Sequence, residues 1–463
     1  MKKTFKMPHI YIIIVSIMLL AAVATYLVPA GVFDRVVDEV TGRELIVKDT
    51  FHTVDRNPTS VLGFFIAMPK GIVDAGWIFV LTFCVGGGFA VLRETGVITG
   101  AIGALSHKLA HRGIIIIPIL TTVFAVIDCF IGMPEMNIVY VPMLIPIMLA
   151  LGFDSITACA TAMVGSAAGF TAAIANPFTV IIAQKICGLP LYSGWQFRVV
   201  VLVIVLAVGI VFTMRYALRV KKDPSKALAP ETDALNRSRM KVEEGEKMAL
   251  RVKLAGIVAL LLFLLMIYGV ISWGWDMPEI GGIFMAIGIV SGIVAGLSGD
   301  QICDYFMKGC QDVLLGAIMI GLARGISVIL SDAYIIDTIV YYLSRMVEAL
   351  PPAITSIGML IVQTALNFLI PSGSGQTVVS MPIMAPLADM VGVTRQTAVL
   401  ALQFGDGFTN IIYPVSGYLM ASLTLAGVPY QKWVKFILPL IIIWTVIAAV
   451  TLVFAQAIAW GPF

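Results

Sequence analysis

KGIVD at Lys70–Asp74 returns as KGCQD at Lys308–Asp312. The echo continues: PMLIP (Pro142–Pro146) with PIMAP (Pro382–Pro386), GFT (Gly169–Thr171) with GFT (Gly407–Thr409), and GLP (Gly188–Pro190) with GVP (Gly427–Pro429). Four landmarks at offsets of 238 to 240 residues mark an internal repeat. What the repeat means depends on the medium in which its halves fold.

That medium is a bilayer. The 463 residues are 59% hydrophobic and 12% charged, against about 25% charged in soluble domains. Apolar runs such as Ile10–Val28, Phe197–Met214 and Leu254–Trp273 reach the roughly 20 residues a spanning helix needs. The N-terminal MKKTFKMP precedes an apolar stretch too long for a signal peptide, so it is read as the lead into the first helix.

Several chemistries drop out. Six cysteines without CxxC spacing and four scattered histidines form neither a disulfide framework nor a metal constellation. No Walker sequence, dinucleotide fingerprint or nucleophile elbow is present, and no enzyme activity is expected. The net charge of +3 gives no reason to expect a nucleic-acid partner.

Charge bias sets the orientation. The segment Arg215–Lys253 carries eleven Lys/Arg against six Asp/Glu and reads as a cytoplasmic linker, flexible at its PSKALAPE piece (Pro224–Glu231). Lys2, Lys3 and Lys6 put the N-terminus on the same side, so the loop Pro29–Pro58 is extracytoplasmic. The division that follows is a first helix and loop (1–59), repeat 1 (60–214), the linker (215–253), two spans (254–298) and repeat 2 (299–463). Repeat 1 reads as a span over 72–93, an interfacial helix over 97–111, a re-entrant hairpin over 114–150, a broken helix over 153–188 and a span over 195–214. Repeat 2 reads as a span over 308–330, a surface helix over 334–350, a hairpin over 353–391, a broken helix over 393–427 and a span over 433–456. With a re-entrant first hairpin, parity makes the second repeat run upside down relative to the first and leaves the C-terminus outside; Ile114–Ile131 is itself long enough to span outright, which would change the parity. The expected fold is therefore an all-α integral membrane protein of inverted repeats, with two re-entrant hairpins and two broken helices, the architecture of secondary transporters.

Two kinds of segment interrupt the apolar pattern in each repeat. The hairpin tips are GMPEMN (Gly132–Asn137) and PSGSGQT (Pro371–Thr377); the breaks are GFTAAIANP (Gly169–Pro177) and GDGFTNIIYP (Gly405–Pro414). Irregular backbone at membrane depth is tolerated where it lines a cavity or is buried in protein. Unwound carbonyls suit a small cation, and half-helix N-termini suit an anionic group. Candidate binding residues are Glu135, Asn137, Thr171, Asn176, Ser372, Gly373, Ser374, Gln376, Asp406, Thr409 and Asn410. Arg324 is a candidate for a substrate carboxylate or for a structural ion pair. Asp128, its repeat counterpart Asn367, Gly169, Gly405 and Asp406 are candidates for coupling to a cation or proton. Asp74 and Asp312 read as hydrogen-bonding helix ends near the interface.

NFLIPSGSGQTVVSMPIMAPLAD (Asn367–Asp389) with QTAVLALQFGDGFTNIIYP (Gln396–Pro414) closely resembles the YfcC-like branch of the C4-dicarboxylate anaerobic carrier (DcuC) family, within the ion transporter superfamily. The resemblance spans nearly the whole chain. It implies a homodimer in the bacterial cytoplasmic membrane, with a scaffold and an elevator-like transport domain driven by Na⁺ or H⁺. It places Gly132–Glu135 and Asn137 at the first tip, and Ser372, Gly373, Ser374 and Gln376 at the second. Gly169–Asn176 and Asp406–Asn410 fall at the two breaks. The Ser-Asn-Thr tip signature of the dicarboxylate–sodium symporters is missing from both hairpins, which leaves substrate and coupling ion open. Relatives of this branch include proteins associated with arginine/ornithine exchange, and Glu135 with Asp406 would suit an amino or guanidinium group. The expectation is a secondary transporter of a carboxylate-bearing metabolite, an amino acid ahead of a C4-dicarboxylate, with no resident cofactor beyond Na⁺ or H⁺. A passive channel on the same fold is the alternative from another class.

Overall fold

The computed structural model describes residues 10–37, 44–47, 49–98, 113–239, 249–348 and 352–461. The interfacial helix expected over 97–111 falls almost wholly outside them. Among the described residues seven helical segments are long and apolar enough to cross a membrane. Their outer faces are themselves apolar: Ile257, Leu260, Leu261 and Leu264 are all exposed. Such a surface suits hydrocarbon and not water.

The chain opens with α1 (Ile10–Leu27), then two short antiparallel strand pairs. β1 (Gly31–Val32) pairs with β4 (His52–Thr53), and β2 (Arg35–Val37) with β3 (Glu44–Ile46). This loop is anchored to α13 (Ile336–Glu348), whose Asp337 accepts Phe33 N–H at 3.1 Å and Arg35 Nη2 at 2.8 Å. Phe51 stacks on Tyr341 with ring centroids 4.3 Å apart.

Repeat 1 begins with α2 (Val61–Asp74) and α3 (Gly76–Glu94), separated by the single residue Ala75. Its counterpart in repeat 2 is one unbroken helix, α12 (Gly299–Asp332), started by a capping box between Ser298 and Gln301. The two counterparts run antiparallel. A side chain at Gly71 would collide with the backbone of Gly321 and Gly325, whereas one at Gly309 would collide with Gly86 O. As numbers rise along one helix they fall along the other. Small residues at these crossings let the backbones touch, the usual basis of helix association in lipid.

Each repeat continues with a helix–turn–helix and an interrupted helix. In repeat 1 these are α4 (Ile116–Ile131) with α5 (Asn137–Ala150), then α6 (Ser155–Thr171) and α7 (Val180–Ile186). In repeat 2 they are α14 (Pro352–Leu369) with α15 (Gly373–Met390), then α16 (Arg395–Thr409) and α17 (Gly417–Ala426). The closing helices are α8 (Trp195–Lys222) and α18 (Tyr430–Ala457). The pairings are reciprocal: α5 packs on α17 and α15 on α7, while α6 meets α16. A second group, α1, α2, α3, α12 and the hairpin α10 (Leu250–Trp273) with α11 (Met277–Ala295), packs among itself and touches the first chiefly where α12 meets α17, with smaller contacts of α3 on α5 and α17 and of α12 on α14.

The segment read as a linker is largely helical over its described residues 215–239. α8 runs on to Lys222, and α9 (Pro230–Arg239) docks on three helix ends. Asp233 accepts Ser155 N–H at 2.7 Å at the start of α6. Arg237 donates to Leu149 O at 3.1 Å and Phe153 O at 3.2 Å beyond α5. Thr232 and Asn236 donate to Gly427 O at 2.8 Å and Ala426 O at 3.0 Å at the end of α17. An acid at a helix start and donors at helix ends match the dipoles they meet. Composition suggested a linker; complementarity to helix ends orders it.

Candidate functional site

The first tip forms because α4 ends in a left-handed residue. Gly132 has φ +67° and its N–H donates to Asp128 O at 3.0 Å. A side chain there would also strike the Asn176 amide, so only glycine fits. A short 3₁₀ turn, Pro134–Met136, then leads into α5. At the second tip Ser372 caps α15 by accepting Gly375 N–H at 3.3 Å, leaving Ser372, Gly373 and Ser374 at a helix N-terminus.

The breaks are built differently from each other. In repeat 1 Asn176 Oδ1 accepts Phe178 N–H at 2.8 Å and Thr179 N–H at 3.3 Å, starting the half-helix α7. Some of the carbonyls expected to face a cation are already occupied. Gln403 Nε2 donates to Phe170 O at 3.2 Å and Ala173 O at 3.3 Å. In repeat 2 Trp433 Nε1 donates to Ile411 O at 2.7 Å and Tyr430 Oη to Ile412 O at 2.6 Å. Buried carbonyls need partners, and side-chain donors supply them at both breaks.

Tips and breaks converge on one cavity of about 280 Å³. Gly132–Glu135 and Pro371–Ser374 line it from the tips, Phe170, Phe178, Asn410 and Ser416 from the breaks. The opposing wall comes from α2–α3, α12 and the α10–α11 turn, which contribute Asp74, Arg324 and Asp276. The ionisable lining is thus Asp74, Glu135 and Asp276 against Arg324. Arg324 pairs with Asp74 through Nε and Oδ2, so Glu135 and Asp276 have no cationic partner among the described residues. The cavity is acidic.

Of the candidates read from sequence, Glu135, Ser372, Gly373, Ser374, Asn410 and Arg324 border this cavity. Others lie behind it as supports. Asn137 donates to Pro134 O at 2.9 Å and Ser166 Oγ at 2.7 Å, fixing the first tip. Gln376 donates to Gln363 O and Oε1, both at 2.8 Å, tying the legs of the second hairpin. Asn367 Nδ2 donates to Asp406 O at 2.8 Å, Thr409 Oγ1 at 2.7 Å and Asn410 Oδ1 at 3.0 Å. Thr171 abuts Gly407 where the breaks meet, Gly169 presses on Ala125 O, and Gly405 lies against Gln363 and Thr364. Asn176 is the half-helix cap described above.

Behind each tip sits one sealed carboxylate. Asp128 lies on α4, with both side-chain oxygens lacking a hydrogen bond. Asp406 lies on α16, with Oδ2 unpartnered and Oδ1 3.5 Å from Asn410 Nδ2. The acid has changed places between repeats: the counterpart of Asp128 is Asn367, and that of Asp406 is Ala168. Asn137 Oδ1, Asn367 Oδ1 and Gln376 Oε1 are further buried acceptors without donors. Oxygen-rich, donor-poor clusters of this kind can take a proton or a small hard cation. Among the described residues no three His, Cys, Asp or Glu side chains gather as a metal site.

The model of the C4-dicarboxylate anaerobic carrier family matches residues 7–457. The chain belongs to this family. It is 32% identical to YfcC of Escherichia coli K12, proposed as a basic amino acid antiporter, over 99% of this chain and 98% of that one. It is 28% identical to an uncharacterised Haemophilus influenzae protein over 95% of both chains. Superposition on MtrF of Neisseria gonorrhoeae, described among antimetabolite efflux pumps, gives a TM-score of 0.42 at 16% identity, covering 99% of this chain and 96% of that one. That likeness is too loose to argue from.

Within this carrier, sequence reasoning missed four site residues. Asp276 and Tyr418 border the cavity, but one sits in a loop between spans and the other in an apolar run. Arg198 and Gln403 lie deeper. Arg198 is fully buried and donates to Gln403 Oε1, yet its Nε and Nη2 have no partner. A lone arginine four residues into a span was a usable signal.

Proposed function

We propose that this carrier is a secondary transporter for a small carboxylate-bearing metabolite with a cationic group, in the first place an amino acid with a basic side chain. The observation that carries this is the acidic cavity, where Glu135 and Asp276 lack a cation and both tips and both breaks contribute lining. A C4-dicarboxylate would bring two negative charges to this wall and meet repulsion, so it is the weaker reading.

In this reading the helix–turn–helix pairs are re-entrant hairpins. With the broken helices they form a body that moves, elevator-fashion, against the α1–α3 and α10–α12 scaffold. The reciprocal packing of α5 on α17 and α15 on α7 supports one moving unit. Asp128 and Asp406 hold the coupling proton or Na⁺, and the N-terminus of α15 at Ser372–Ser374 lines the same cavity. Charge bias places the α9 side in the cytoplasm of a bacterial inner membrane, and two such chains form the dimer that the family resemblance implies.

Proteoliposome uptake tests the reading. Saturable uptake of a basic amino acid, accelerated by preloaded solute or by an imposed Na⁺ or proton gradient, is expected. Uptake that ignores both driving forces for every amino acid and dicarboxylate tried would remove coupled transport. Large unitary currents would favour a channel instead.

A further inference from the structure

The ion pair on the scaffold wall of the cavity is only half made. Arg324 Nε donates to Asp74 Oδ2, and no other bond to the guanidinium or the Asp74 carboxylate exists among the described residues. The two terminal amino groups of Arg324 and the second oxygen of Asp74 are left over, and both side chains border the cavity. Neither is sealed: Arg324 is 28% and Asp74 47% exposed. An ion pair this wet contributes little to stability, so a ligand offering better partners can open it. Four residues before Asp74, the exposed pair Lys70–Asp332 at 2.7 Å also holds α2 to α12. The helix contact therefore does not depend on Asp74 and Arg324 alone.

We propose that Arg324 and Asp74 together form the receptor for the head group of an α-amino acid. The α-carboxylate takes the free fork of Arg324, which suits bidentate recognition. The α-ammonium takes the free oxygen of Asp74. Opening the pair and inserting a zwitterion exchanges one cation–anion contact for two, without leaving a charge unpaired. The substrate's remaining positive charge then faces Glu135 and Asp276, which have no cation of their own. The three acids and one base of the lining offer an acceptor to each of the two cations and a donor to the one anion, with one acid to spare. The inference rests on the transporter reading above and adds to it the way the head group is recognised. It also sets the pair apart within the repeat: the counterparts of Asp74 and Arg324 are Asp312 and Gly86, so the equivalent crossing has no arginine and lacks this receptor.

Ligand-induced thermal stabilisation of the purified protein, with counterflow in proteoliposomes, tests it. The probes are arginine and lysine, their decarboxylated amines agmatine and cadaverine, and the Nα-acetylated amino acids. The native protein is expected to hold the intact amino acids at least about tenfold more tightly than either truncated set. Arg324→Gln should lose that preference over the amines while still binding them, and Asp74→Asn should lose it over the acetylated forms. Arg324→Lys, which keeps the charge without the fork, should fall between and controls for folding. Native protein that binds agmatine as tightly as arginine overturns the receptor while leaving a cationic substrate standing. Discrimination surviving in Arg324→Gln overturns it equally. Binding by none of the probes overturns both this assignment and the substrate reading beneath it.

Discussion

Arg198 and Gln403, 205 positions apart in the chain, meet in the sealed interior, where the guanidinium donates to the glutamine side-chain oxygen. The same glutamine spends its amide hydrogens on Phe170 O and Ala173 O at the first break. The guanidinium also lies 5.5 Å from the ring of Trp460. A helix closing repeat 1 thus holds the repeat 1 break through a residue of repeat 2. The break is not a loose stretch of unwound backbone; a charged strut fixes its shape.

That strut is expensive, since Nε and Nη2 are buried without partners. Replacing such a group by an apolar one of similar length is often neutral or stabilising. Arg198→Met is therefore expected to keep or raise the apparent melting temperature, yet to slow uptake by about tenfold, the equivalent of one misplaced hydrogen bond. A parallel fall in stability and uptake would make Arg198 structural only.

The acid exchanged between repeats leads to a second expectation. Asp406→Asn keeps the volume behind the second tip but removes the group able to carry a proton or neutralise a cation. Acceleration of uptake by an imposed ion gradient should disappear, while exchange of substrate for substrate persists. Asp128→Asn tests the same role behind the first tip. Full gradient response in both variants would place coupling elsewhere.

Close backbone contact at the broken helix gives a stability prediction. A methyl group on Gly169 would overlap Ala125 O, whereas one on Gly282 in α11 meets nothing within 4 Å. Gly169→Ala should destabilise by about 1–3 kcal/mol through overpacking. Gly282→Ala should be neutral or stabilising by up to about 1 kcal/mol, because alanine favours helix. Thermal denaturation of the two variants in one detergent separates the cases.

The docked α9 predicts a modest, local effect. Asp233→Ala leaves Ser155 N–H without its 2.7 Å acceptor and should cost about 1 kcal/mol. Lys70→Ala on the exposed pair with Asp332, both 53% exposed, should cost less than about 1 kcal/mol. A larger loss at Lys70 than at Asp233 would contradict the burial argument.

Much of this is legible in the amino-acid sequence. Glycine, proline and polar residues punctuating apolar runs located both tips and both breaks, because backbone irregularity in a membrane helix needs a local chemical cause. The repeated KGxxD, Pro-x-x-x-Pro and GFT landmarks identified counterpart helices, and charge bias predicted that they oppose each other, as α2–α3 and α12 do. The ordered α9 was not legible, because its composition is that of a linker and only the helix ends it meets hold it. Nor was the division of labour among polar residues. The amide hydrogens of Asn137 and Gln376, read only as candidate ligands, brace the hairpins, and Asp276, between two expected spans, borders the cavity.

The sequence by itself determined the medium, the repeat and the positions where helices must break, since each depends on residues close together in the chain. Only the tertiary structure decided which charges face one another. Asp74 with Arg324 and Arg198 with Gln403 join positions hundreds of residues apart. The first pair exists because α2 and α12 cross antiparallel through Gly71, Gly321 and Gly325, and the second because α8 and α16 both pack on α6; such meetings are made by helix packing and not by any local stretch of chain.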